Sequence, residues 1–117
     1  MAKKILIVDD DPNIISYLTD FFGDNGYETC SAMDGSEAMG IVKKEKPDLI
    51  TLDLEMPEEW GPRFFRKLMK EKEYSKIPVI VISGLTGAKY AIQKAVASIH
   101  KPFDRDELLK IVEESIA

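Results

Sequence analysis

Short, nearly continuous apolar runs alternate with segments of helical periodicity along the chain, and this alternation constrains the fold more than any other feature. Lys4-Ile5-Leu6-Ile7-Val8 is rich in β-branched residues, the pattern of a strand covered on both faces. It stops at Asp9-Asp10-Asp11, and Asp11 followed by Pro12 reads as an N-cap and first helical residue. Ile14, Ile15, Leu18, Phe21 and Phe22 then line one helical face, and Gly26 closes the segment. Tyr27 to Cys30 predicts a second strand. Asp34 with Glu37 fits a capping box, backed by Ala38, Ile41 and Val42. Leu49-Ile50-Thr51-Leu52 predicts a third strand ending at Asp53, and an acidic loop with Pro57 and Gly61 leads to a helix carrying Phe64, Phe65, Leu68 and Met69. Pro78-Val79-Ile80-Val81-Ile82 predicts a fourth strand, stopping at Ser83-Gly84. Ala91, Ile92, Ala95 and Val96 stand at helical spacing between Thr86 and Val96. A brief strand around Ser98 to His100 precedes Lys101-Pro102, and Asp104 with Glu107 opens a last helix.

Five β-α units in strict alternation predict an α/β fold, a doubly wound parallel sheet with helices on both faces. The pattern leaves the strand order open.

Composition narrows the function classes. With 117 residues, one domain over 1–117 is expected. The single cysteine, Cys30, excludes a disulfide framework and reads as an inert packed residue. The single histidine, His100, reads as an exposed strand-end residue and excludes a multi-imidazole zinc site. No apolar run approaches the roughly 18 residues of a membrane span, and a cytoplasmic location is expected. The net charge of −5 argues against non-specific nucleic-acid binding. Arg63, Arg66, Lys67, Lys70 and Lys72 make a local basic patch, which reads as a solvated helix face interrupted by Glu71 and Glu73.

Ligands of open parallel sheets bind beyond the carboxyl ends of the strands. Those ends carry Asp9 and Asp10, Asp53, Ser83 and Lys101. Each alone is an ordinary turn, cap or surface residue. Together they place three carboxylates, a hydroxyl and an ammonium on one side of the sheet. Clustered carboxylates repel, and a hard cation such as Mg²⁺ offsets them through oxygen ligands. An acidic crevice with Mg²⁺, a hydroxyl and a lysine suits phosphoryl chemistry.

The sequence resembles the receiver domain of two-component response regulators, and is similar to chemotaxis receivers. Ile5-Leu6-Ile7-Val8-Asp9-Asp10-Asp11-Pro12, Leu52-Asp53-Leu54-Glu55-Met56-Pro57, Ser83 and Lys101-Pro102-Phe103 carry the resemblance, which covers essentially the whole chain. It implies a flavodoxin-like three-layer sandwich with strand order 2-1-3-4-5. It also implies a signalling switch in a phosphorelay, not a general enzyme, catalysing only its own phosphorylation and dephosphorylation. By that resemblance Asp53 is the phosphoacceptor, receiving a phosphoryl group from the phosphohistidine of a sensor histidine kinase or phosphotransfer protein. Asp9, Asp10, Asp53 and the backbone carbonyl of Glu55 hold Mg²⁺. Lys101 and Ser83 contact the phosphoryl group, and Ser83 draws the following loop inward. A downstream protein target, without direct nucleic-acid or membrane contact, and a monomer or weak phosphorylation-dependent dimer complete the expectation.

The chain departs from the family pattern in places. Ser98 stands where the family usually has Tyr or Phe. The Ser83–Lys101 segment is shorter by roughly one helical turn, predicting a shortened fourth helix. Ala95-Val96-Ala97 lacks the usual glycine, and Trp60 precedes Gly61 where Asp is common. An alternative reading is a receiver-fold interaction module that works without phosphorylation. A haloacid-dehalogenase-like phosphatase would carry its aspartate motif after the first strand, whereas Asp53 follows the third. A flavodoxin-type phosphate loop is opposed by Asp9-Asp10-Asp11.

Overall fold

The computed structural model describes residues 2–53, 60–83, 97–100 and 104–116. Nine elements are seen among them: β1 (Lys4–Val8), α1 (Pro12–Asp24), β2 (Glu28–Ala32), α2 (Gly35–Glu45), β3 (Leu49–Leu52), α3 (Trp60–Lys70), β4 (Val79–Ser83), β5 (Ala97–His100) and a C-terminal helix (Arg105–Ile116). The strands form one parallel sheet in the order β2-β1-β3-β4-β5. The segment expected to hold the shortened fourth helix lies outside the described residues, as do Glu55 and Lys101.

Period-two alternation divides the central strands between two cores. Leu6, Val8, Ile50, Leu52, Val79 and Val81 face α2 and α3, meeting Ala38, Val42, Phe64, Phe65 and Leu68. Ile5, Ile7, Leu49, Ile80 and Ile82 face the other way and pack on Leu18 and Phe22 of α1 and on Leu108 and Val112 of the C-terminal helix. A strand buried on both faces favours apolar residues at nearly every position, which is why these runs lack polar alternation, buried Thr51 of β3 being the polar exception among them.

The caps set where each helix begins. Asp11 accepts the Asn13 N–H at 2.9 Å, with Pro12 first in α1. Asp34 accepts the Glu37 N–H at 2.8 Å, and Asp104 accepts from Asp106 at 2.8 Å and Glu107 at 3.3 Å. These are the starts that the Asp-containing motifs predicted. At the end of α1 the Tyr27 N–H donates to the Phe22 carbonyl at 3.0 Å and the Gly26 N–H to Gly23 at 3.1 Å. That paired closure needs a left-handed residue, and Gly26 has φ 89°. The Tyr27 ring meets Phe22 edge-on with centroids 6.3 Å apart, sealing the turn.

Several strand boundaries differ from the sequence expectation by one or two residues: β4 runs Val79–Ser83 and so includes Ser83, and β5 begins at Ala97. The second strand runs to Ala32, two residues beyond Cys30, because Ser31 and Ala32 pair with Ile7 and Val8 of β1. α3 stops at Lys70, so Glu71, Lys72 and Glu73 belong to the turn that follows. There the Tyr74 and Ser75 N–H groups donate to the Glu71 carbonyl at 3.0 and 2.8 Å.

Candidate functional site

The sheet register assembles the site. Val8 lies opposite both Ala32 and Leu52, so β1 and β3 end level with each other. Asp9 and Asp53 follow immediately, and each continues the ladder by one bond. The Asp9 N–H donates to the Ala32 carbonyl at 3.1 Å and the Asp53 N–H to the Val8 carbonyl at 2.9 Å. Both backbones are therefore fixed by the sheet, and a site built on strand ends is held more precisely than one on a free loop.

The side chains converge. Asp9, Asp10 and Asp53 each present a carboxylate oxygen, and these oxygens lie within 4.8 Å of one another. Asp9 and Asp53 are each 3 % exposed, whereas Asp10 is open to solvent. The Asp11 N–H donates to Asp9 Oδ1 at 2.9 Å, which orients that carboxylate. Asp11 thus caps α1 with its side chain and steers Asp9 with its backbone. Sequence reading assigned it the cap alone, because a main-chain donor leaves no mark on residue type.

Buried carboxylates in one crevice are costly unless positive charge offsets them. The donor set is all oxygen, with one carboxylate facing water, which fits a hard divalent cation that keeps part of its hydration shell. Among the described residues the cluster consists of carboxylates alone, and Cys30 on β2 is not one of its members, so no soft ligand is seen there. Cys30 Sγ lies 3.9 Å from the Ile5 carbonyl, and burial pushes its thiol up to about 11, so it is inert near neutral pH.

Ser83 ends β4 and pairs with His100 of β5. Leu52 pairs with Val81, so carrying that register forward sets Asp53 beside Ile82 and Ser83 one step beyond. The backbone of Ser83 is thus brought to the same sheet edge as the carboxylates. Glu55 and Lys101, the remaining expected members, fall outside the described residues.

Comparison with known proteins points one way. The family model for the response regulator receiver domain matches residues 5–113. Protein Rrf1 of Nitratidesulfovibrio vulgaris is 34% identical over 117 residues, covering 100% of this chain and 85% of that protein. Sporulation initiation phosphotransferase F of Bacillus subtilis is 34% identical over 116 residues, covering 97% of this chain and 94% of its own length. Among solved structures, the chemotaxis protein CheY4 of Vibrio cholerae superposes with a TM-score of 0.91 at 28% identity, covering 98% of this chain and 99% of that one.

Proposed function

Because the chain belongs to the response regulator receiver domain family of two-component systems, we propose that it is a phosphoacceptor switch with Asp53 as the acceptor. Receiver domains are signalling switches, and the reading takes residues 1–117 as one such domain in the cytoplasm. An Asp53 carboxylate oxygen attacks the phosphorus of a phosphohistidine on a sensor kinase or phosphotransfer protein. The O–P bond forms as the P–N bond breaks, and the electron pair leaves with the imidazole, which takes up a proton. What supports this is the convergence of Asp9, Asp10 and Asp53 at the ends of adjacent strands.

Asp9 and Asp10, with Asp53 and the Glu55 backbone carbonyl, hold Mg²⁺. The bound ion supplies positive charge against the phosphoryl oxygens and the carboxylates together. Asp9 is kept in place by the Asp11 N–H, and Asp53 by the main-chain bond to Val8, so the acceptor oxygen needs little reorganisation to meet phosphorus. Ser83 donates its hydroxyl to a phosphoryl oxygen and Lys101 pairs with the phosphoryl charge. Engagement of the phosphoryl group by Ser83 is a local change that biases a protein-binding surface for a downstream target.

A receiver-fold module independent of phosphorylation would not need three converging carboxylates, and their retention favours the phosphoswitch. The test is incubation with Mg²⁺ and a small phosphodonor, read by intact mass and by Trp60 fluorescence. One acid-labile phosphoryl group should appear in the wild type and none in Asp53→Asn. An unmodified wild type with no metal-dependent fluorescence change refutes the reading.

A further inference from the structure

Asp11 is bonded in both directions across the junction between the acidic pocket and α1. Its N–H reaches back, donating to Asp9 Oδ1 at 2.9 Å. Its acceptors reach forward. Oδ1 takes the Asn13 N–H at 2.9 Å, and the carbonyl takes the Ile14 and Ile15 N–H groups, each at 3.1 Å. Pro12 has no N–H, so every main-chain donor among the first four residues of α1 ends on Asp11. Both ends of the junction are anchored. Asp9 is 3 % exposed and tied to the sheet through the Ala32 carbonyl, and α1 is fixed to the core by buried Leu18 and Phe22. Asp10, the one residue between Asp9 and Asp11, is itself a member of the carboxylate cluster.

The cap of α2 provides a contrast within the same chain. Asp34 bonds to Ser36, Glu37 and Ala38, all in the first turn of its own helix. It is the same residue type, with the same kind of cap, following the neighbouring strand. What Asp11 adds is the bond back to a pocket carboxylate.

We propose that Asp11 is a positioning residue for cation binding: by closing the first turn of α1 it fixes the N–H that orients Asp9, so the helix cap and the metal occupancy of the pocket are coupled. The coupling rests on the reading of the pocket as a Mg²⁺ site. A carboxylate with one oxygen already held by an N–H presents itself to a cation without first having to be ordered. When the first turn frays, the Asp11 backbone is released, and its N–H no longer holds Asp9. The effect runs both ways by linkage: whatever strengthens the cap tightens cation binding, and a bound cation strengthens the cap. The charge of Asp11 also favours a nearby cation, and neutral variants separate that contribution from the cap.

The isotope-labelled full chain is titrated with Mg²⁺ and followed by amide NMR, with the Asp9, Asp10 and Asp53 signals reporting that the ion sits in the pocket. Asp11→Ala and Asp11→Asn remove the same charge, but asparagine still caps a helix and alanine does not. Asp11→Ala should bind Mg²⁺ about threefold to tenfold more weakly than Asp11→Asn. Asp34→Ala, which deletes the cap of α2 and one negative charge, should stay within about twofold of the wild type. In the wild type, Mg²⁺ should slow hydrogen exchange at the Asn13, Ile14 and Ile15 amides more than at Glu37 and Ala38 of α2. Circular dichroism checks folding, and the wild-type exchange comparison decides the matter if Asp11→Ala does not fold. Equal affinity of the two Asp11 variants overturns the coupling and leaves the Mg²⁺ site standing. The same holds for an equal loss in Asp34→Ala, or for exchange that slows no more in α1 than in α2. A wild type that does not bind Mg²⁺ overturns the reading of the pocket and the coupling with it.

Discussion

Asp53→Asn removes one of three negative charges that the sheet holds together, while keeping the shape of the side chain. Two unit charges 4.8 Å apart repel by roughly 3 kcal/mol at an effective dielectric of about 20, and by roughly 1 kcal/mol in water. The Asp9–Asp53 pair, with both residues 3 % exposed, sits nearer the first value, and the pair with exposed Asp10 nearer the second. The amide also gives up favourable contacts of the carboxylate, so a net gain of about 1–3 kcal/mol is expected in the metal-free protein. At this chain length each kcal/mol moves Tm by roughly 4 °C. The assay is thermal unfolding by circular dichroism, first in a chelator and then in excess Mg²⁺. Without metal, Asp53→Asn should melt above the wild type. With Mg²⁺ the wild type should rise more than the variant, because a cation that binds only the folded state stabilises it by mass action. If Asp53→Asn melts below the wild type in chelator, the carboxylates are not repelling one another. The physical argument for a cation in the crevice then fails.

Phe22→Ala, at a fully buried position between the Phe21 and Tyr27 rings, should cost about 3–5 kcal/mol in urea unfolding with an unchanged m-value. Lys46 caps α2 at φ 48°, so Lys46→Gly should stabilise by roughly 0.5–1 kcal/mol, and a gain no larger than that of Lys46→Ala would refute the strain. Burial raises the Cys30 thiol from its ordinary value near 9.0 to about 11, so the unfolded chain ionises first. The stabilising contribution is complete below pH 9 and is lost as pH rises toward 11. Wild-type stability should fall over that window more steeply than that of Cys30→Ala, and parallel curves would sink the assignment.

Much of the fold was legible before any coordinates. The caps at Asp11, Asp34 and Asp104 are local chemistry, a side-chain oxygen meeting an N–H two or three residues on, and all three starts were read correctly. Strands buried on both faces are marked by nearly continuous apolar runs, interrupted in β3 only by Thr51. β2 was read short, because an edge strand of mixed polarity carries little pattern, and pairing with β1 decides where it ends. The helix carrying Phe64, Phe65, Leu68 and Met69 is present as α3, but Lys72 of the basic patch, read as part of a helix face, falls in the turn after Lys70, where Tyr74 and Ser75 N–H groups donate to the Glu71 carbonyl.

The site divides in the same way. Which chemical groups stand at the strand ends can be read from residue order, since strand termination and residue type are local properties. That Asp9 and Asp53, 44 positions apart, become neighbours follows from long-range pairing, because the adjacency of β1 and β3 and the level register of Val8 with Leu52 arise across the sheet. The backbone duty of Asp11 belongs to the same class, because it depends on where β1 ends and how Asp9 is turned, and it is not encoded at any single position.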